Sequence, residues 1–408
     1  EVRTRKVEAH LLPEEVAHAA AAGNPPDIAE YYSLSTQTAL DTRASNGEPL
    51  FIPAQRAIAG RTKILDEPVI IDEIIPTVRQ HYSIGGELVS MPTFVSTNIL
   101  FANKAMLTRA GIEQMPATWH ELTTACAAIT ALPDGPTHAV SWPNYGWLFH
   151  MEIAGQGGLL SNNGNGRTGR STRVFLDSPE MLNYVHWWKQ MHDNGYYLAT
   201  EDLHYVTVMQ AFLRQEIAFV VTTTAVAQVA TTMAPQAGIE LMVGQLPRHH
   251  HDSSPGGVLG GGSFFLTANQ PPHKRDAALA YLQHQLNPHH AITRMHNHPN
   301  PLTSLPITQT AYHHAMTPTW TPPLPGNHTA THQLTTAHQS PAAAGPALGN
   351  LSNINDAITQ AMHDVLLDHA EPAHRFHTAT QQAQAALDRH NAAALNYPPQ
   401  TPTELRAG

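Results

Sequence analysis

Residues 84–102, IGGELVSMPTFVSTNILFA, decide how this chain is built. Paired glycines make a turn, and the β-branched and aromatic residues after them favour extended backbone, so the stretch predicts a turn followed by strand. Upstream, LLPEEVAHAAAAGNPPDI (11–28) reads as a short helix. Pro13 suits its first turn, Glu14 and Glu15 favour its positive N-terminus, Gly23 fits the left-handed C′ site, and Pro25 and Pro26 forbid continuation. DIAEYY (27–32) follows as a strand.

Downstream, Thr118 and Glu121 in PATWHEL have capping-box spacing, so a helix starts there and runs through Cys126. In DSPEMLNYVHWWKQMHDNGYY (177–197), Pro179 fits the first helical position, Met181, Val185, Trp188 and Met191 share one face, and Gly195 stops the helix. Residues 217–229 read as a strand running into Thr222, Thr223 and Thr224. GGVLGGGSFFLTANQ (256–270) feeds glycines into an aromatic strand, and KRDAALAYLQHQL (274–286) is a helix closed by Asn287 and Pro288. Ile354, Ile358, Ala361 and Val365 form a helical stripe. Such alternation of strand and helix is an α/β pattern. Between Pro299 and Pro346 the chain is rich in Pro, Thr and His with little periodicity, which reads as linker or as loop wrapped on a surface.

At 408 residues the chain exceeds a single core, so two domains are expected. Charged residues make up 13%, about half the usual share, and 28 His and 32 Pro help fill the deficit. Net charge is −10 with histidine neutral, which argues against nucleic acid or an anionic membrane as partner, because either needs a basic face. A single cysteine, Cys126, excludes an internal disulfide framework; in its small-residue helix it reads as a buried structural thiol. No run of apolar residues is long enough for a transmembrane helix. EVRTRKVE opens the sequence without a signal peptide, so an export signal was either removed or never present.

Chemical motifs fail on inspection. A GxGxxG occurs at Gly164, Gly166 and Gly169, but RSTRVFL after it reads as a strand where a nucleotide site needs a helix. His120-Glu121 opens like a zinc-protease motif, yet Thr124 stands where the second ligand belongs. With no nucleophile elbow and no recognisable carboxylate pair, an enzyme is not indicated and no cofactor is expected. His249, His250 and His251, and the group His289, His290, His296 and His298, belong to a histidine excess spread over the chain, so no metal site is assigned. SWPNYGWLFHMEIAGQGGLLSNNGNG (141–166) packs rings, amides and glycines into a segment too irregular for a core helix. It reads as the wall of a site for a polyhydroxylated ligand, or as a core Trp beside a turn.

Six segments in order carry a resemblance: GNPPDI (23–28), MPTFVSTNILFANKAMLTRAGI (91–112) with PATWHEL, the Trp147 segment, GGGSFF (260–265) before a helix ending in NP, SLPIT (304–308) and ALGNLSNI (347–354). From about residue 5 to 390 the chain resembles the family 1 extracellular solute-binding proteins of ABC importers, closest to those that bind glycerol 3-phosphate and glycerophosphodiesters. The resemblance implies a type II periplasmic-binding-protein fold: two α/β lobes with mixed sheets flanked by helices, and ligand in the cleft between them. Lobe one would be 1–104 plus 259–312, lobe two 105–258 plus 313–408. Family members begin with a further strand and helix, which this sequence would lack.

Carried over by position, the resemblance implies a cleft lined by Tyr32, Ser33, Ser96, Asn144, Trp147, Thr223 or Thr224, the Gly261-Gly262 backbone and Ser304. Trp147 would be the stacking platform. Four positions depart from the family, which carries an acidic residue at Ser33, an aromatic at Asn144, a tyrosine at Ser304 and an arginine at Ala347. Without that arginine, and with no Lys or Arg from Met295 to His374, an uncharged sugar or glycerol-derived polyol is favoured over glycerol 3-phosphate or a glycerophosphodiester. The implied setting is periplasmic or extracellular, as a monomer delivering a small-molecule solute to ABC permease subunits, with any membrane anchor preceding residue 1. The rival readings are a His-rich metal-binding protein and a degenerate binding fold that has lost its ligand.

Overall fold

The computed structural model describes residues 2–8, 10–200, 205–254, 257–297, 305–317 and 326–395. Two four-stranded sheets organise it, flanked by helices. In the first, strand Gly260–Thr267 is central and pairs antiparallel with Ile28–Tyr32, Met91–Ser96 and Phe51–Ile52. The second runs in the order Leu241–Gln245, Asn98–Asn103, Phe219–Thr223, Val140–Ser141, with only the last pair parallel.

The 84–102 stretch is the passage between the sheets. Gly85 and Gly86, both at positive φ, turn a small hairpin. Met91–Ser96 then joins the first sheet, Asn98–Asn103 joins the second, and Thr97 alone lies between them. All six residues of Asn98–Asn103 are buried, as befits a strand covered on both faces. Thr97 is held at the crossing: its N–H donates to Thr224 Oγ1 (3.2 Å), its carbonyl accepts from Thr224 N (2.9 Å), and its hydroxyl accepts from Gln333 Nε2 (2.8 Å).

Most local readings correspond to observed elements. Helix Leu12–Ala21 has Pro13 in its first turn and Gly23 at φ +73° after it. Thr118 and Glu121 form a complete capping box on helix Trp119–Thr130, so Glu121 is a structural cap and not half of a zinc motif. Met181, Val185, Trp188 and Met191 are all buried along helix Pro179–Asp193. Ile354, Ile358, Ala361 and Val365 likewise form the inner face of helix Leu351–Leu367.

Three expectations are corrected. Residues 141–166 include a core helix, Gly146–Gly155, in which every residue from Gly146 to Ala154 is buried. It is mostly apolar because it is enclosed all round, and its two titratable side chains, His150 and Glu152, are buried with the rest. Its first residue must be glycine, since a Cβ on Gly146 would lie 2.5 Å from Asn355 Oδ1 of the neighbouring helix. RSTRVFL is not a strand: it makes one isolated bridge, Ser161 to Val174, and the glycines before it turn through left-handed Asn163, Gly164, Asn165 and Gly166. The Pro-, Thr- and His-rich region carries helices Gln309–Ala315, Asn327–Thr336 and Pro341–Ala344 among its described residues. Thr308 and Ser340 cap two of them, and Ala311, Ala330 and Ala343 face the core. Small apolar residues among Thr and His leave little periodicity to read.

Cys126 is fully buried, and burial pushes its thiol well above the ordinary range. No helix among the described residues is long and apolar enough to cross a membrane.

Candidate functional site

A cavity of about 440 Å³ opens beside the passage between the sheets. Both sides of the molecule line it: Tyr32, Ser33, Phe94, Ser96 and Gly260-Gly261 from the first sheet and its continuation, and Tyr145, Trp147 and His150 from helix Gly146–Gly155 and its N-cap. His81, Tyr205 and Pro346 complete the wall with several aliphatic residues. Its size falls within the range of small-molecule sites.

Local structure explains how each group arrives. Tyr32 ends strand Ile28–Tyr32 and Ser33 begins the short helical turn after it; Tyr32 is half exposed with its ring edge-on to Phe94 at 5.7 Å. Gly261 has φ +147°, and a Cβ there would lie 2.2 Å from Phe94 O, so only glycine lets these strands meet. Trp147 is 8% exposed, and its indole N–H donates to Val258 O (2.9 Å), which fixes the ring against the cavity. Tyr205 donates its hydroxyl to Asn98 Oδ1 (3.1 Å).

Two imidazoles set the electrostatics. His81 Nδ1 lies 2.9 Å from Ala344 O, and because a carbonyl only accepts, Nδ1 carries the proton. Burial, reinforced by the nearby Arg167 charge, pushes His81 down to about 3. At neutral pH the ring is uncharged and Nε2 is a lone-pair acceptor. Burial likewise pushes His150 down to about 4, and its Nε2 is buried without a hydrogen-bond partner. None of the described lining residues is a Lys, Arg, Asp or Glu. Tyr145 is raised by burial, with Asp356 and Tyr32 adding to the shift.

The buried cation nearest this wall is committed elsewhere. Arg167 donates Nε to Gly345 O (2.9 Å), one terminal nitrogen to His81 O (2.6 Å) and Ser83 O (3.1 Å), and the other to Ala344 O (2.6 Å). Burial lowers it to about 10, so it stays charged at neutral pH. Its charge meets carbonyl dipoles rather than the cavity.

Among the residues expected from the sequence, Tyr32, Ser33, Ser96, Trp147 and Gly261 line the cavity. Others do not. Asn144 turns away, donating Nδ2 to Thr359 O (2.9 Å), and the next residue, Tyr145, takes the wall instead. Thr223 caps the turn after its strand through Ala225 N, and Thr224 holds Thr97. Gly262 pairs with Tyr32 in the sheet, outside the lining. Ser304 lies outside the described residues. Sequence reasoning missed Tyr145, Tyr205, His81 and His150. Tyr145 had a signal, its place two residues before Trp147 at a helix start; His150 lies three residues beyond Trp147 on the same helix, while His81 and Tyr205 come from distant segments and had none.

Residues 2–322 match the family described as bacterial extracellular solute-binding protein. The sn-glycerol-3-phosphate-binding periplasmic protein UgpB of Escherichia coli (strain K12) is 24% identical over 376 residues, covering 90% of this chain and 81% of that protein. Solved structures share the fold. The sugar-binding protein MalE of Xanthomonas citri aligns with TM-score 0.75 at 19% identity, over 96% of this chain and 91% of the other. UgpB of Mycobacterium tuberculosis in complex with glycerophosphocholine aligns with TM-score 0.70 at 17% identity, over 94% and 89%. The two sheets, the cavity between them and a family match spanning most of the chain lead to one conclusion: the chain belongs to the bacterial extracellular solute-binding proteins, a family of non-enzymatic binding proteins that work with ABC importers.

Proposed function

We propose that the chain captures an uncharged, polyhydroxylated solute, a sugar or glycerol-derived polyol, for delivery to an ABC permease outside the cytoplasmic membrane. One observation carries this reading: a 440 Å³ cavity with aromatic rings and two neutral histidines in its described wall and no ionised side chain. Rings present faces to C–H groups, while imidazole nitrogens and the Ser33 and Ser96 hydroxyls meet ligand hydroxyls. A phosphate buried against such a wall would lack a counter-charge.

In this reading the lobes meet at the cavity. Because Asn98–Asn103 pairs within the second sheet, the first lobe boundary is better drawn at Thr97 than at residue 104. The others stay near 258 and 312. Trp147, Tyr145, Ser96 and His81 are the proposed ligand contacts.

A second reading keeps a glycerophosphodiester or glycerol 3-phosphate as ligand, favoured by the UgpB relatives, one a glycerol-3-phosphate-binding protein and one in complex with glycerophosphocholine. Calorimetry on the full chain against neutral oligosaccharides, glycerophosphodiesters and glycerol 3-phosphate separates the two. Binding of a neutral sugar or polyol with no heat from the phosphates is expected. Preferential binding of a phosphate compound would overturn the neutral-ligand reading, and silence across the panel from folded protein would indicate a fold that has lost its ligand.

A further inference from the structure

Away from the cavity, three side chains from three elements converge: Glu67 on strand Glu67–Pro68, His284 in the last turn of helix Pro272–Leu286, and His290 in the first turn of helix Pro288–Asn297. One ligand atom from each lies within 4.8 Å of the other two. We propose that Glu67, His284 and His290 form a binding site for a divalent transition cation of the zinc class, distinct from the solute cavity and independent of the solute bound there.

The corner between the helices builds the pair of imidazoles. Asn287 is extended (φ −51°, ψ 122°), so the chain turns sharply before Pro288 restarts the helix. His284 and His290, six residues apart, thereby come ring to ring at 4.0 Å. Glu67 approaches from the hairpin packed on the same helix, and His284 Nδ1 lies 2.7 Å from its Oε1.

The donor chemistry suits zinc. Two neutral imidazoles and a carboxylate give nitrogen and oxygen ligands, and a partly exposed surface leaves a fourth position for water. A cation entering the site takes the place of the proton between His284 Nδ1 and Glu67 Oε1. The ring keeps one proton, relocated through solvent to Nε2, so it binds as a neutral ligand while the carboxylate offsets part of the ion's charge. Histidine abundance alone gives no such convergence. In the triplet, His249 and His250 stack on each other at 3.8 Å while His251 points to Glu121 (3.0 Å). The triplet contributes to no three-ligand cluster among the described residues.

The test uses the full chain, free of any histidine tag and stripped with chelator, titrated with Co²⁺ and then Zn²⁺. Expected are visible d–d bands saturating at one Co²⁺ per chain, their loss on adding Zn²⁺, and a rise in melting temperature with either ion. His290→Ala, at an exposed position, and Glu67→Gln should each weaken uptake about tenfold or more. Replacing His249, His250 and His251 together by Ala should leave it intact. Absence of uptake in the wild type would overturn the proposal. So would uptake unchanged in a folded His284→Ala/His290→Ala double variant, or uptake lost with the 249–251 triplet.

Discussion

Gly260 lies flat against the indole of Trp147: a Cβ on that glycine would sit 2.7 Å from Cη2 of the ring and 2.8 Å from Ser96 Oγ. The strand and the ring occupy each other's van der Waals surface, and a backbone without a side chain allows the indole to line the cavity. Gly260→Ala should keep the fold, because Gly260 has no left-handed φ to preserve. It should displace the ring or the Ser96 hydroxyl at about 1–3 kcal/mol. A lowered melting temperature, shifted tryptophan emission and weakened solute binding are the expected readouts. Unchanged binding would remove Trp147 from the contact set.

Trp147→Phe separates ring face from ring donor. The phenyl retains an aromatic wall but loses the bond to Val258 O, a change of about 1 kcal/mol in stability. Binding should survive in Trp147→Phe and vanish in Trp147→Ala, as measured by calorimetry on variants shown to be folded by circular dichroism.

In a protein with 28 histidines, solute affinity should nonetheless be flat between about pH 5 and 8. The imidazoles in the cavity wall, His81 and His150, are held at about 3 and about 4, so neither gains a proton in that window. Their effect falls on stability instead. An unfolded chain takes up protons below its ordinary value of 6.5 that the folded chain refuses, so each histidine destabilises progressively as pH falls from 6.5 toward its folded value. Binding curves at several pH values check the first statement, and urea unfolding of His150→Gln against wild type checks the second.

Glu152 acts in the opposite direction. Buried beneath Trp119, whose indole N–H donates to its Oε2 (3.0 Å), it is pushed by burial from 4.5 to about 8. Between those values the folded chain holds a proton that the unfolded chain has lost. The stability contribution is therefore complete below 4.5, falls as pH rises, and is gone above 8. Glu152→Gln, which mimics the protonated acid, should abolish this slope and gain a few kcal/mol at pH 9 relative to wild type. A variant as pH-dependent as the parent would show that another group carries the slope.

Asp41 joins distant parts of the chain: Arg170 pairs with it through both terminal nitrogens, and His390 Nε2 bonds it at 2.8 Å. Burial alone would raise its carboxyl, but the bonds from His390, Arg170 and Gln37 outweigh burial and hold it at about 2. Its contribution is present above 3.8 and fades as pH falls toward 2. Asp41→Ala should cost about 3–5 kcal/mol, because it strands a partly buried guanidinium and imidazole. Chemical denaturation at neutral pH measures this directly, and a loss below 1 kcal/mol would show the cluster to be solvent-screened.

Local physics was the legible part of the sequence. Thr118 and Glu121, Pro179 and Gly195, and the stripe from Ile354 to Val365 declare themselves within a few residues, because caps and helical faces are short-range devices. Tyr32, Ser96, Trp147 and Gly261 were reachable through the family resemblance. The neutral histidines were not: His81 and His150 are ordinary letters whose character comes from burial and, for His81, from Ala344 more than 260 residues away. Asn144 was misplaced by a single position, since a helix N-terminus at Gly146 rotates Tyr145 toward the cavity and Asn144 toward Thr359.

Arg167 ties residues 81–83 to residues 344–345 through four carbonyl bonds, and Gly85 N returns a fifth to its own backbone oxygen (2.8 Å). Pulling those strands of chain apart would leave a cation facing nothing. Residues 81–83 and 344–345 therefore stay joined in any state of the protein that keeps Arg167 buried, since their carbonyls are the only acceptors its side chain has among the described residues.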